Sequence, residues 1–314
     1  MNKISNILFR ADSSSTIGTG HIMRDLVLAK QYPKANIIFA TQDLSGNINH
    51  KIIEAGYEIE ILNSNDLQEL DKLIKKRSIN MIIIDHYDID YKFEKQLSIL
   101  NSQLSIMVLD GSYKKHHCDI LLNHNIYADE KKYKGLVPKY CELRCGSNYT
   151  LLREEFIKEK KRESKLKLNI EYAIFNIFIA IGGTDHSNIN IDILKTIKKI
   201  SKNCKQNLKV HVVTTKANNN LTLLKKYCKD KKWIKLHINS NKIAKLMMKS
   251  DLAIVTPSVI MNEIYFMEIP FIAIKTAHNQ DAMYEYLLKK NYLVLNKFSE
   301  KKLYLYIDKI IGEL

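Results

Sequence analysis

Short apolar runs alternate with longer amphipathic segments along most of the chain. The runs are rich in Ile, Val and Phe, which is typical of buried parallel strands, and the segments between them have the spacing of helices that cover a sheet. The pattern therefore predicts an α/β fold. In the first half the predicted strands are Asn6–Arg10, Asn36–Ala40, Glu58–Leu62, Met81–Asp85, Ser105–Asp110 and Ile120–Asn123.

A highly charged stretch, residues 153–167, interrupts this alternation before it resumes. A run this polar contributes little to a core, so we expect a solvated helix and linker. We predict an N-terminal Rossmann-like domain (1–152), a linker helix (153–170) and a C-terminal Rossmann-like domain (171–314) whose last helix could pack back on the first domain. The two domains are expected to face each other across a cleft. Strands of the second half are predicted at Asn176–Ile181, Leu208–Thr215, Ile234–Ile238, Leu252–Thr256, Phe271–Lys275 and Tyr292–Leu295.

Composition narrows the classes of protein. The 314 residues, 46% of them apolar, suffice for two cores. We find neither a secretory signal nor an apolar run long enough for a membrane span, so we expect a cytoplasmic protein. The five cysteines do not indicate a disulfide framework. The net charge of +15 is spread over many predicted helices without a nucleic-acid-binding motif, so we expect no nucleic-acid partner.

The loop after the first strand is the first candidate for chemistry. Gly18 and Gly20 allow a tight turn and close approach of a ligand, and the following helix directs free N–H groups there. His21, in the first helical turn, lies near the positive end of the helix dipole, which favours a neutral imidazole that can accept a proton. On spacing alone, His21 is either a catalytic base or simply a helix cap.

A second group of polar residues, Asp85, His86 and Tyr87, follows the fourth strand. Carboxyl ends of parallel strands meet at one edge of a sheet, so these residues should lie near His21. Tyr87 either holds a water or substrate oxygen or only packs. Asp85 and His86 either take part or order the loop.

In the second half, Gly182, Gly183 and Thr184 follow the first strand and precede Asn188. Consecutive glycines and a hydroxyl at a helix start suit a diphosphate. The alternative is an ordinary turn in which Asp185 or Asn188 caps the helix.

Two further loops of the second half carry polar side chains. Ser258 and Val259 precede a helix that contains Glu263, a carboxylate placed to accept both hydroxyls of a ribose. The alternative reading of Ser258 and Glu263, a capping box, requires a spacing of three, whereas theirs is five. Asn279 and Gln280 offer amides suited to sugar hydroxyls and acetamido groups, and otherwise cap a helix.

Several other chemistries lack support. The run His116-His117-Cys118-Asp119 alternates between strand faces and has no second cluster of zinc-like spacing, so we predict no metal. Cys141-x-x-x-Cys145 is not a redox pair. The three-glycine dinucleotide fingerprint, the nucleophile elbow and the Walker loop are absent from the sequence. We therefore expect no cofactor.

Seven motifs carry a resemblance to a known family: 12–15, Gly18-x-Gly-His21-x-x-Arg24-Asp25-Leu26, 84–87, 116–123, 153–156, 182–185 and 243–247. Together they resemble the UDP-sugar hydrolases of pseudaminic acid biosynthesis, which act on UDP-2,4-diacetamido-2,4,6-trideoxy-β-L-altropyranose. The resemblance extends from about Ile7 to about Gln280. The family is similar to the glycosyltransferase that adds N-acetylglucosamine to lipid II precursors, which implies a GT-B fold.

The resemblance also implies roles for individual residues. His21 is expected to be the general base, assisted by Tyr87, with UDP bound mainly by the C-terminal domain. Pro257 departs from the small residue usual in the family and has no N–H for a phosphate. The implied binding residues are Gly18, Gly20 and Arg24 near the base, Gly182, Gly183, Thr184, Asn188, Ser258 and Val259 along the diphosphate, Glu263 at the ribose, Ile238 at uracil, and Asn279 and Gln280 at the sugar.

The implied reaction is attack of water on the anomeric carbon with inversion and without a metal, releasing UDP and 2,4-diacetamido-2,4,6-trideoxy-L-altrose. The alternative is a GT-B glycosyltransferase that uses a UDP-sugar donor and an alcohol acceptor. A base that activates water can also activate an alcohol, so only the resemblance favours the hydrolase. We expect a monomer with this small-molecule substrate and no membrane partner.

Overall fold

The computed structural model describes residues 5–163, 174–202 and 207–312. The chain divides into two compact units, Met1–Arg153 and Glu154–Leu314.

Unit 1 contains a seven-stranded sheet in which every described pairing is parallel. The strand order is 3-2-1-4-5-6-7, so the connections run outward in opposite directions from the first and fourth strands. Its elements are β1 (Asn6–Ala11), α1 (Gly20–Ala29), β2 (Asn36–Gln42), α2 (His50–Glu54), β3 (Glu58–Leu62), α3 (Leu67–Lys76), β4 (Met81–Asp85), α4 (Tyr91–Leu100), β5 (Ser105–Leu109), β6 (Ile120–Asn123) and β7 (Glu142–Cys145).

Alternate residues of β1 supply the two faces of this sheet. Ile7 and Phe9 belong to one buried cluster, which includes Ile22 of α1, and Leu8 belongs to another, on the side of α3 and α4. Because both faces are covered, the strands read as continuous apolar runs. The register places Ala11 beside Asp85, so the loops after β1 and β4 emerge together.

At the amino edge of the same sheet, polar groups of Asn6 form hydrogen bonds with the turn before β4. The backbone N–H of Asn6 donates to Oδ1 of Asn80 at 2.9 Å, and its side-chain amide donates to the carbonyl of Arg77 at 3.0 Å. These bonds fix the start of β1 against the turn that precedes β4.

Strand β7 is absent from the sequence prediction. It is an edge strand paired only with β6 among the described strands, and its residues Glu142–Cys145 are half-buried or exposed. Only Leu143 and Cys145 of the strand pack on the core. A four-residue segment with so few apolar positions gives little strand signal.

Unit 2 contains a six-stranded sheet of the same order, again with parallel pairings throughout the described residues. Its elements are α5 (Glu154–Glu163), β8 (Ile174–Ala180), α6 (Asn190–Ile200), β9 (Asn207–Thr214), α7 (Leu221–Cys228), β10 (Ile234–Ile238), α8 (Ile243–Met248), β11 (Leu252–Val255), α9 (Ile260–Met267), β12 (Phe271–Ile274), α10 (Asp281–Lys289), β13 (Val294–Leu295) and α11 (Glu300–Gly312). Here β8 and β11 occupy the central positions.

Two helices of unit 2 bear on the expected domain limits. Helix α5, from the charged stretch, packs on α8 and α9, and its Phe156 is fully buried. Helix α11 packs on α6 and places Leu303 and Ile307 in the unit 2 core. The sequence had also allowed this last helix to pack on the first domain. Residues 164–170 of the predicted linker lie outside the described residues, and the three predicted domain ranges stay a prediction.

The described cysteines are free thiols, and Sγ of Cys118 lies 3.7 Å from Sγ of Cys141. Cys204 lies outside the described residues. Among the helices described, none is long and apolar enough to cross a bilayer.

Candidate functional site

The loop between β1 and α1 forms a tight turn at the carboxyl edge of the first sheet. Gly18 donates its N–H to the carbonyl of Ser14 at 2.9 Å and has a φ of +85°, which favours glycine. Gly20 is the first residue of α1, and the preceding Thr19 makes no side-chain cap. The first N–H groups of this helix are therefore directed toward the strand ends.

His21 is held by Asp85. Its Nδ1 lies 2.8 Å from Oδ1 of Asp85, and both side chains are buried. A carboxylate only accepts hydrogen bonds, so this contact is favourable when Nδ1 carries the proton. Nε2 of the neutral ring is then the proton acceptor. Helix α1 has no side-chain cap, so the structure does not support the helix-cap alternative, and the role of His21 as a base stays a prediction.

Arg24 binds the same carboxylate. Its Nε donates to Oδ2 of Asp85 at 2.5 Å, and its Nη2 donates to Oδ1 and lies 2.9 Å from Nδ1 of His21. Burial alone would raise the pKa of Asp85, but the charge of Arg24 and the hydrogen bond from His21 hold it well below its usual range. Asp85 is therefore an anion, and the guanidinium of Arg24 is engaged by it.

Tyr87 lies beside the predicted base. Its ring meets the ring of His21 edge to face, with the centroids 4.7 Å apart and an interplanar angle of 86°. Tyr87 is 67% exposed, whereas His21 is 4% exposed. The sequence prediction that the two lie together is thus met by the geometry, and the assisting role of Tyr87 stays a prediction.

A second network supports these loops. Sequence reasoning offered His86 as a residue that orders the loop, but it missed Arg10 and its bond to Asp12. Asp12 accepts two hydrogen bonds of 2.8 Å from the buried Arg10 and one of 2.7 Å from the N–H of Gln42. Nδ1 of His86 accepts from the N–H of Asp88, so Nε2 carries the proton and donates to Asp12 at 3.0 Å. Burial would raise the pKa of Asp12, but His86 and Arg10 hold it well below its usual range.

His124, at the end of β6, is a further buried group near this cluster. Burial, and then the positive charge of Arg24, lower its pKa to about 3, although the charge of Asp85 opposes them. No group in the described part of the chain hydrogen-bonds its Nδ1. His124 is therefore neutral at physiological pH. Its position directly after a predicted strand was the available sequence signal.

In unit 2 the loops after β8 and β11 emerge side by side, since Ala180 pairs with Val255. Gly182 has a φ of +69°. A Cβ on Gly183 would lie 3.1 Å from Cγ2 of Thr215, whose hydroxyl donates to the Gly183 carbonyl at 2.8 Å. The two glycines thus meet different needs, a left-handed backbone and a close approach.

Backbone hydrogen bonds hold the rest of this loop, residues 184–188. Asp185 and Asn188 also have positive φ, of 44° and 52°, and Asn188 donates its N–H to the carbonyl of Asp185 at 3.0 Å. Asn219 donates its N–H to the carbonyl of Thr184 at 3.1 Å. Helix α6 begins only at Asn190, after Ile189, and has no side-chain cap from either predicted capping residue.

The loop after β11 leads into α9. The hydroxyls of Thr256 and Ser258 are 3.1 Å apart, and Val259 is the half-exposed residue before the helix. Glu263 lies in the first turn of α9 and is half-buried. The nucleotide contacts of these residues stay a prediction.

The remaining predicted contacts lie on strands further from the centre of the sheet. Ile238 ends β10, at one edge of the sheet, and Asn279 and Gln280 follow β12, toward the other. Gln280 is buried, and its Oε1 accepts from the N–H of Thr276 at 2.8 Å. The side-chain amide of Gln280 therefore binds the backbone of its own loop, whereas the side chain of Asn279 is exposed.

The metal-like run has other partners. Nδ1 of His116 lies 2.7 Å from Glu94, which also accepts from the N–H of His117, and Cys118 neighbours Cys141. Across the described residues, no three His, Cys, Asp or Glu side chains are grouped to hold a metal ion.

Comparison of sequences places the chain among known proteins. It is 40% identical over 292 residues to a UDP-2,4-diacetamido-2,4,6-trideoxy-beta-L-altropyranose hydrolase of Campylobacter jejuni, covering 93% of this chain and 99% of that enzyme. The chain belongs to this hydrolase family. An uncharacterized protein of Methanocaldococcus jannaschii is 31% identical over 288 residues, which are 89% of this chain and 57% of that protein. No model of a known protein family matches the chain.

Solved structures with little sequence identity share the fold of this chain. MurG of Acinetobacter baumannii has a TM-score of 0.66 at 9% identity over 98% of this chain and 91% of that protein. Anabaena HepE in complex with UDP-glucose has a TM-score of 0.55 at 12% identity over 98% and 90% of the respective chains. The predicted family and the predicted GT-B class of two parallel α/β domains are confirmed. Their arrangement across a cleft stays a prediction.

Proposed function

We propose that this protein hydrolyses UDP-2,4-diacetamido-2,4,6-trideoxy-β-L-altropyranose to UDP and 2,4-diacetamido-2,4,6-trideoxy-L-altrose, a step of pseudaminic acid biosynthesis. Membership in the hydrolase family supports the substrate. The observation that carries the chemistry is the 2.8 Å pairing of His21 Nδ1 with Asp85 at the end of two central strands. That pairing leaves Nε2 of His21 as a proton acceptor.

The proposed reaction begins when Nε2 of His21 takes a proton from water. The oxygen attacks the anomeric carbon from the face opposite UDP, so the configuration inverts, and the glycosyl C–O bond breaks. Asp85 stabilises the imidazolium that forms, because it is a buried anion bonded to Nδ1. Tyr87, edge-on to the ring, limits its rotation.

Departure of UDP requires stabilisation of charge on the diphosphate. We assign this role to the backbone around Gly182 and Gly183 and to the start of α9 near Ser258, with Glu263 on the ribose and Ile238 near uracil. The glycine loop and the β11 loop emerge side by side, which supports the assignment. Because UDP is already a good leaving group, the proposal requires no acidic carboxyl beside it.

The test is release of UDP from purified protein and this UDP-sugar with no acceptor present. Hydrolysis predicts stoichiometric UDP and free sugar, and in water labelled with oxygen-18 the label enters the sugar and not UDP. NMR spectra recorded before the released sugar mutarotates should show the inverted anomer. Lack of acceptor-independent UDP release would contradict the hydrolase and favour the transferase alternative.

We also propose that the protein is a monomer and is cytoplasmic. Light scattering after size exclusion checks the oligomeric state, and fractionation of cells checks the location.

A further inference from the structure

Helix α1 buries a second acid close to the proposed base. Asp25 lies four residues after His21, so the two side chains are on the same face of the helix. Asp25 is 0% exposed. The proposed mechanism gives this carboxyl no role.

The surroundings of Asp25 do not suit an anion. In the described part of the chain, no donor reaches either of its carboxyl oxygens. A buried carboxylate without donors loses its hydration without compensation. Burial, and then the negative charge of Asp85, raise the pKa of Asp25 well above its usual range, and the charge of Arg24 offsets this only in part.

The neighbouring acid can only accept. Asp85 is an anion that already takes hydrogen bonds from His21 and Arg24. The carboxyl group of Asp25 lies within hydrogen-bonding reach of the Asp85 carboxylate. A contact between two carboxyl groups is a hydrogen bond only if one of them carries a proton. With His124 neutral and Arg24 paired to Asp85, a protonated Asp25 leaves one ion pair in the buried cluster and no unpaired charge.

We propose that Asp25 is a positioning residue that, as a neutral carboxylic acid, donates its O–H to the Asp85 carboxylate and holds that carboxylate against Nδ1 of His21. The catalytic consequence rests on the proposed function. The protonation state of Asp25 does not, and it can be measured on the folded protein alone.

Thermal unfolding against pH tests the protonation state with the isosteric variant Asp25→Asn. When the folded pKa lies above the unfolded value, the linked stability is complete below about pH 4 and is lost as pH rises toward the folded pKa. The wild type should show this loss and Asp25→Asn should not. The variant's Tm should therefore rise relative to wild type between about pH 4.5 and 7.5. A Tm difference independent of pH would overturn the proposal. The half-exposed Asp192, in unit 2, provides the matched control Asp192→Asn, which should track the wild type.

Kinetics test the positioning role. The amide of Asp25→Asn can still donate to Asp85, so kcat and the acid limb of its pH profile should match the wild type. Asp25→Leu removes the donor and should lower kcat by about 10- to 100-fold, as expected when a catalytic group is misplaced. Its acid limb should move to lower pH, because Asp85 then supports the protonated His21 less well. Wild-type kcat and profile in Asp25→Leu, or an equal shift in both variants, would contradict the role.

A third measurement needs no variant and therefore tests the proposal even if Asp25→Leu fails to fold. In wild-type protein labelled with carbon-13 at the aspartate carboxyl, the Asp25 signal should keep the protonated chemical shift at pH 7. An ionised signal would overturn the proposal. If the wild type releases no UDP while Asp25 is protonated, the proposed function fails and the assignment of the proton stands.

Discussion

At the residue scale, the pairing of His21 with Asp85 makes a definite prediction for the variant His21→Ala. Removing the proton acceptor should lower kcat by about 10²- to 10⁴-fold, the usual contribution of a general base. UDP affinity should not change, because the assigned nucleotide contacts are on unit 2. Turnover assays and calorimetric titration with UDP check both. The exposed His50→Ala is the matched control and should behave as wild type. Retained turnover in His21→Ala would remove His21 as the base.

The pairing of Asp12 with Arg10 predicts acid sensitivity. The folded pKa of Asp12 lies below its unfolded value of about 3.9, so its stabilising contribution is complete above that pH and is lost as pH falls through the folded pKa. Asp12→Asn should reduce the fall in unfolding free energy below about pH 4. At pH 7 it should destabilise by about 3–5 kcal/mol, because Arg10 is left buried and unpaired. Urea unfolding at each pH measures both effects, and an unchanged acid slope would contradict the pairing.

The sequence predicted part of this cluster and not the rest. His21 and Tyr87 were identified because each follows a strand predicted from its apolar run. The bond between His21 and Asp85 joins residues 64 positions apart and depends on the strand order, which periodicity does not give. Arg10 was missed although it is a charged residue in a buried strand, a sign of an internal partner.

At the scale of elements, the loop after β8 predicts an effect of Gly183→Ala. The added Cβ would meet Cγ2 of Thr215 at 3.1 Å, so one of them must shift. An overpacking cost of about 1–2 kcal/mol would weaken UDP binding by about tenfold if this loop binds the diphosphate.

The double variant Gly183→Ala with Thr215→Ser is the control for this prediction. Serine removes Cγ2 and keeps the hydroxyl that donates to the Gly183 carbonyl. Binding should recover most of the loss. If Thr215→Ser gives no recovery, the weakened binding has another cause than the contact with Cγ2.

Helix α5 predicts a large packing effect of Phe156→Ala. Phe156 is fully buried in a helix whose other residues are mostly charged, so its truncation should destabilise unit 2 by about 3–5 kcal/mol. Trp233 is the single tryptophan of the chain and packs against the unit 2 core, so its fluorescence reports this unit during urea unfolding. The exposed Lys158→Ala should leave the midpoint in place. A wild-type midpoint for Phe156→Ala would show that α5 does not stabilise unit 2.

This helix also shows where sequence patterning reached its limit. The charges between 153 and 167 indicated a solvated segment, and the three apolar residues among them, Phe156, Ile157 and Leu166, were too few to give a helical periodicity. The burial of Phe156 depends on a partner surface from α8 and α9, about a hundred residues later in the chain. Apart from the edge strand β7, the strands were predicted closely because both faces of a parallel sheet are covered.

At the scale of the whole molecule, the net charge of +15 predicts a salt effect on substrate capture. A UDP-sugar is anionic, and a cationic surface attracts it over distances that salt screens, with a Debye length of about 30 Å at 0.01 M and about 8 Å at 0.15 M. We expect kcat/KM to fall as salt rises, while kcat changes little because the ion pair of Asp85 and Arg24 beside His21 is buried. Initial rates across a salt series check this, with an uncharged osmolyte as control. A kcat/KM independent of salt would contradict it.

The polar clamp of Asn6, Asn80 and Arg77 has a practical consequence for handling the protein. Strands rise about 3.3 Å per residue, so this turn lies about 16 Å from Asp85, at the opposite end of β4. A linker or fluorophore inserted near Ser78 would stay clear of the reacting edge. Protein immobilised on a sensor surface through that turn should keep the His21 loop open to the solution.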